Sequence, residues 1–214
     1  MMRVVSLLLA CLLSPFGLAA SAPATDLPDR FLASLETFQA DFVQWRYDRF
    51  GQLLEPARGR VAILRPGRFR WEYTEPEPQL LLADGKRLWN YDRLLDQVSV
   101  TPQEEALVGS PALLLSDAAP PSKTFIVYRI GARDDLEWYA LEPRNADSQF
   151  SLVRLGFDIS DEQPMLREME LTDNFDQRTR IRFEHVRINE PIDPDLFRFR
   201  PPPGVDVIGD VGEP

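Results

Sequence analysis

Cysteine is all but missing from this chain, and the single one, Cys11, sits inside an apolar N-terminal stretch. Histidine is as scarce, with His185 alone. There is no G-x-S-x-G elbow, no H-E-x-x-H pair and no glycine-rich phosphate loop, so the common signatures of serine hydrolases, zinc proteases and nucleotide enzymes are gone. His185 falls in the strand-like run Glu184-His185-Val186 and reads as a surface or packing residue. The carboxylate pairs Glu104-Glu105, Asp134-Asp135 and Asp161-Glu162 are chain neighbours whose side chains point apart, as on a solvated surface. Nothing here suggests catalysis, a metal or a cofactor. Positive charge is also short: 24 Lys and Arg face 34 Asp and Glu, for a net charge of −10. That balance argues against nucleic acid and against anionic lipid heads as partners.

Long apolar runs are lacking too, except at the N-terminus. Arg3, the run from Val4 to Leu13 and the small residues Ala19-Ala20-Ser21-Ala22 form a secretion signal. Leu8-Leu9-Ala10-Cys11 resembles an acylation site, but the apolar run continues through Leu12, Leu13 and Phe16 to a peptidase site. The expected signal therefore spans residues 1–22, with its end between 20 and 24, and one domain follows over 23–214. Cleavage beyond Cys11 removes disulfides, thiol catalysis and cysteine metal sites. The expected product is exported, soluble and without a membrane span.

What is present is alternation. Arg65-Pro66-Gly67-Arg68-Phe69-Arg70-Trp71-Glu72-Tyr73 places Phe69, Trp71 and Tyr73 on one face and Arg68, Arg70 and Glu72 on the other. Phe38, Ala40 and Phe42 share one face of an earlier strand, and Val43, Trp45 and Tyr47 the other. Asp84-Gly85 predicts a tight hairpin whose second strand sets Trp89 and Tyr91 on one face. Further strands are expected around 58–64, 125–130, 136–141, 151–159, 166–171 and 179–188. Before them, Asp26 can cap an amphipathic helix carrying Leu27, Phe31, Leu32 and Leu35. Thr101-Pro102-Gln103-Glu104 reads as a helix start. Ser110-Pro111-Ala112-Leu113-Leu114-Leu115-Ser116 reads as a short helix apolar on every side, which must cover something apolar. Pro201-Pro202-Pro203 belongs at a sheet edge or outside it. The fold class is mainly β with short helices: an incomplete, half-closed antiparallel β-barrel with a helical lid over an apolar cavity.

In order along the chain, Phe38-Gln39-Ala40-Asp41-Phe42-Val43-Gln44, Arg65-Pro66-Gly67-Arg68-Phe69-Arg70-Trp71, Asp84-Gly85-Lys86-Arg87-Leu88-Trp89-Asn90-Tyr91-Asp92 and Ser110-Pro111 with its leucines resemble the outer-membrane lipoprotein carrier family LolA. Phe197-Arg198-Phe199 followed by Pro201-Pro202-Pro203-Gly204-Val205 is similar to that family's ending. The resemblance implies a periplasmic, monomeric carrier that shields lipoprotein acyl chains. It would receive them from a LolCDE-type inner-membrane transporter and give them to a LolB-type outer-membrane receptor. Leu32, Phe69, Trp71, Tyr73, Trp89, Leu113 and Leu114 would then line the cavity. Arg65 would latch the lid through main-chain carbonyls near Leu32 and near Leu115 and Ser116. A LolB-like receptor or an envelope sensor of lipid or lipoprotein is the alternative reading of the same shape.

Overall fold

The computed structural model describes residues 27–103, 111–117, 119–146 and 148–209. The signal segment, the Asp26 cap and the stretch from Glu104 to Ser110 lie outside the described residues. Helix α1 (Leu27–Ser34) leads into β1 (Thr37–Tyr47), β2 (Ala57–Leu64), β3 (Arg68–Glu75), β4 (Gln79–Asp84), β5 (Arg87–Asp92) and β6 (Gln97–Pro102). Helices α2 (Pro111–Ser116) and α3 (Pro121–Thr124) interrupt the strands. Then come β7 (Phe125–Arg133), β8 (Leu136–Pro143), β9 (Phe150–Asp158), β10 (Met165–Asp173) and β11 (Arg178–Ile188). A 3-10 turn (Pro194–Phe197) and β12 (Asp206–Ile208) end the described chain.

All twelve strands form one open sheet in the order β12-β6-β5-β4-β3-β2-β1-β11-β10-β9-β8-β7. Pairing is antiparallel except between β12 and β6, which run parallel. The two halves, built from the first six strands and from β7 to β11, join where β1 pairs with β11. Because paired residues share a face, the register lines up Phe38, Ile63, Phe69 and Ala83 in one row and Ala40, Val61, Trp71 and Leu81 in the next. Curling brings this face against Leu141, Val153, Leu155, Phe157 and Met169 of the second half, in one apolar interior. Phe38 meets Phe183 edge-on at 5.2 Å, and Phe31 of α1 meets Phe157 at 5.1 Å. Edge-to-face contacts of this kind suit the ring quadrupoles and add specificity to area burial.

The expected fold class holds: mainly β, short helices, unclosed antiparallel sheet. One local expectation shifts. Thr101 and Pro102 pair with Leu88 and Arg87 as the last residues of β6, so Thr101 is a strand residue and not a helix cap. The helix start itself holds but comes later, at Gln103, because the cross-strand ladder keeps Thr101 and Pro102 extended. Pro102 tolerates this position because β12 reaches only as far as Ser99 along β6, and no ladder asks for its missing N–H. The C-terminal segment keeps to its expectation and adds to it. Pro201, Pro202 and Pro203 do lie outside the sheet, and Phe199 and Val205 on either side of them cover the back of β4, β5 and β6. There they close a second small core of Leu80, Leu82, Trp89, Val98 and Val100.

Candidate functional site: an apolar face under latched helices

Helix α1 covers the apolar face because its four buried residues, Leu27, Pro28, Phe31 and Leu32, fall on one side. Its end is pinned by Asn189, whose Oδ1 accepts from the Glu36 N–H at 2.7 Å and whose Nδ2 donates to the Ser34 carbonyl at 2.8 Å. Its start is tied to α3, since Asp29 Oδ1 accepts from the Ser122 N–H at 3.0 Å. Helix α2 contributes Leu114, half-buried against the interior, and Leu115, fully buried.

Arg65, at the turn between β2 and β3, joins these helices. Its Nη1 donates to the Leu32 carbonyl of α1, with the Leu35 carbonyl at 3.4 Å, and its Nη2 donates to the Asp117 carbonyl at the end of α2. Partial burial holds the guanidinium pKa below its usual value, and the Asp117 carboxylate offsets only part of that shift. The neighbouring turn is held as well: the Gly67 N–H donates to the Ser116 carbonyl at 2.9 Å, and Gln103 Nε2 donates to the Gly67 carbonyl at 2.6 Å. Gly67 has φ of 73°, a conformation that glycine adopts without a Cβ penalty. The expected acceptors at Leu115 and Ser116 thus shift by one residue. Asp117 takes the guanidinium, and Ser116 takes the turn's main chain.

Beneath the latch, Phe69 is fully buried and Trp71 is 5% exposed. Trp71 packs on Phe42 at 4.9 Å between centroids, and Phe42 meets Tyr73 edge-on at 5.3 Å. Gly59 makes room for this cluster, since a Cβ there would fall 2.7 Å from the Phe42 ring and 2.0 Å from the Glu72 carbonyl oxygen. Tyr73 sits toward the far end, half-buried, and its hydroxyl donates to Gln44 Oε1 at 3.1 Å. Burial raises the Tyr73 pKa, with Gln44 acting the other way. The buried Trp71 Nε1 finds no acceptor at hydrogen-bond distance, so the indole N–H and the Tyr73–Gln44 pair are the polar points of this wall.

Leu32, Phe69, Trp71, Tyr73 and Leu114 therefore come together. The Leu113 side chain lies outside the described ones. Trp89 does not join them. It pairs with Leu82, which pairs with Arg70, so it faces the opposite side of the sheet from Trp71. There its indole N–H donates to Asp84 Oδ2 at 2.9 Å and its ring packs on Phe199 at 5.4 Å. Strand alternation ties Trp89 to Tyr91 but leaves the choice of face to the register. Sequence reasoning also missed Gln103, Asp117 and Asn189, whose polar roles depend on where helices end.

Away from the second core, the outer face around β3 is polar. Arg70 and Arg93 bracket Glu72 at 3.2 and 2.6 Å. Burial alone would raise the Glu72 carboxyl, and the two arginines override it to hold the pKa below the usual value. His185 is exposed on this side with Nδ1 at 2.9 Å from Asp41 Oδ2. Among the described residues no three His, Cys, Asp or Glu side chains are grouped to hold a metal ion.

The family model described as "Outer membrane lipoprotein carrier protein LolA" matches residues 33–200. The outer-membrane lipoprotein carrier protein of Chromobacterium violaceum is 42% identical over 194 residues, covering 90% of this chain and 91% of that one. Its namesake in Nitrosomonas europaea is 41% identical over 180 residues, covering 84% and 86%. Among solved structures, an uncharacterized conserved protein from Thermus thermophilus shares the fold, with a TM-score of 0.52 at 17% identity over 82% of this chain and 91% of that one. With its single open sheet, its apolar inner face and relatives of this kind, the chain belongs to the LolA family of outer-membrane lipoprotein carrier proteins.

Proposed function

We propose that this lipoprotein carrier holds the acyl chains of its cargo against the face built from Leu32, Phe69, Trp71, Tyr73 and Leu114, with Leu113 completing it. In this reading the mature domain, residues 23–214, works as a monomer in the periplasm after the signal is removed. It takes lipoproteins from a LolCDE-type transporter and passes them to a LolB-type receptor, without chemistry and without a cofactor.

The observation that carries this reading is Arg65. One guanidinium holds two covering helices over the apolar face through carbonyls of Leu32 and Asp117. Burying an acyl chain is worth about 0.8 kcal/mol per CH₂, so carried lipid demands nearly complete shielding. Each charge-assisted hydrogen bond contributes only about 1.5–3 kcal/mol. Such a latch biases the lid shut yet opens without fuel, which a carrier requires.

Native mass spectrometry of the protein drawn from periplasm tests the reading. A one-to-one adduct of lipoprotein mass is the expected result. An adduct of free lipid alone would move the chain to a lipid-sensing role.

A further inference from the structure

On the outer face, β1, β11, β10 and β9, with the end of β7, carry a groove of about 500 Å³ lined by Arg133, Arg154, Arg178 and Arg180, with Tyr47 at one end and Glu170 between. Four guanidinium groups converge there on a chain whose net charge is −10. The register explains it: Trp45, Arg180, Glu170 and Arg154 are successive partners in one row across the strands. The arginines are held in place from below. Arg133 lies 4.1 Å over the Trp138 ring and 2.6 Å from Glu170, and Arg178 lies 5.7 Å over Tyr47. Arg180 grips the buried carboxylate of Glu168 at 2.7 Å, which Arg182 shares at 2.9 Å. Glu170 also serves Arg154 at 3.6 Å and Asp134 lies 3.8 Å from Arg133, so Arg133, Arg154, Arg178, Arg180 and Arg182 face three carboxylates and positive charge is left over. The turns leaving the sheet beside Tyr47 and Arg178 carry two solvent-exposed rings, Phe50 at 80% and Phe175 at 74%.

We propose that this groove docks an acidic, extended segment of a partner protein, with Phe50 and Phe175 contacting apolar residues next to its carboxylates. Preorganised guanidinium groups match carboxylates in geometry as well as charge. The rest of the surface favours a short segment over a charged membrane. A screening length of about 10 Å at 0.1 M salt lets the groove act locally, whereas a broad anionic surface meets the repulsion of the whole acidic chain. The groove lies on the face opposite Phe69 and Trp71, so the inference stands apart from the cargo reading.

The test uses the full mature chain and an octaglutamate peptide, followed by calorimetry and tryptophan fluorescence. Binding at low salt, weakened steeply as salt rises from about 20 to about 300 mM, is the expected result. The double variant Arg154→Glu, Arg178→Glu should lose at least about tenfold in affinity. Arg198→Glu, on the 79% exposed side chain behind the second core, should leave it unchanged. If the charge reversal disturbs folding by circular dichroism, Arg154→Gln with Arg178→Gln replaces it and should still weaken binding. Absence of binding by the native chain, or equal loss with Arg198→Glu, overturns the proposal. So does binding of phosphatidylglycerol vesicles with no binding of the peptide, which assigns the arginines to lipid heads.

Discussion

The guanidinium of Arg65 donates to the main-chain carbonyl of Leu32, fixing the turn that opens the aromatic strand to the helix that covers it. The same side chain reaches the Asp117 carbonyl at the end of the second covering helix, so one guanidinium bridges both helices.

Arg65→Leu should therefore leave the sheet folded and upset the lid. Two helix carbonyls lose a donor, at an expected cost of about 1–3 kcal/mol in stability. In a reconstituted assay with cargo-loaded protein and acceptor membranes, transfer should slow severely or stop. Normal acceptance and transfer by the variant would remove Arg65 from the cycle.

Phe69→Glu should impair loading. The ring is fully buried beside Ile63 and Ala83, so a carboxylate there faces an apolar wall with no partner. Phe69→Ala gives the milder comparison, a loss of about 3–5 kcal/mol from the cavity it leaves. Chemical denaturation measures stability, and recovery of soluble lipoprotein from inner-membrane vesicles measures loading.

How far the sequence reaches is clearest in the contrast between Trp71 and Trp89. The period of two from Arg68 to Tyr73 is legible because only one face of that strand is apolar. On β4 both faces are apolar, with Leu80 and Leu82 against Leu81 and Ala83, so the pattern beside it cannot say which way Trp89 points. Its side is decided by pairing with Leu82 and by cover from Phe199, which lies far along the chain. The latch residue itself came from family likeness, since an arginine before a turn has no distinctive spacing. Its second acceptor fell at Asp117 because a helix offers its free carbonyls where it ends, a point that apolar periodicity does not locate.

The second core gives a separable prediction. Phe199→Ala should uncover Trp89 and Tyr91, which lie 5.4 and 5.9 Å from its ring, and lower stability by about 1–3 kcal/mol. Tryptophan emission should shift to longer wavelength while cargo loading stays intact. Loss of loading at native stability would mean that the back of the sheet takes part in carrying.

Acid should weaken the fold partly through Glu72. Its folded pKa is lowered from the ordinary 4.5 because Arg70 and Arg93 outweigh burial. The sign follows: this stabilisation is full above pH 4.5 and is lost as pH falls through the lower folded value. Glu72→Gln should accordingly flatten the fall in stability below that pH. Unfolding curves of the two proteins at several acidic pH values measure the difference, and parallel curves would count against it.

Photocrosslinking reports whether cargo acyl chains lie on the inner face. A benzoylphenylalanine placed at position 71 or at position 89 reports opposite sides of the same sheet. With a triacylated lipoprotein as cargo, crosslinks to the acyl chains are expected from position 71 and none from position 89. Crosslinks from position 89 with silence at position 71 would contradict it.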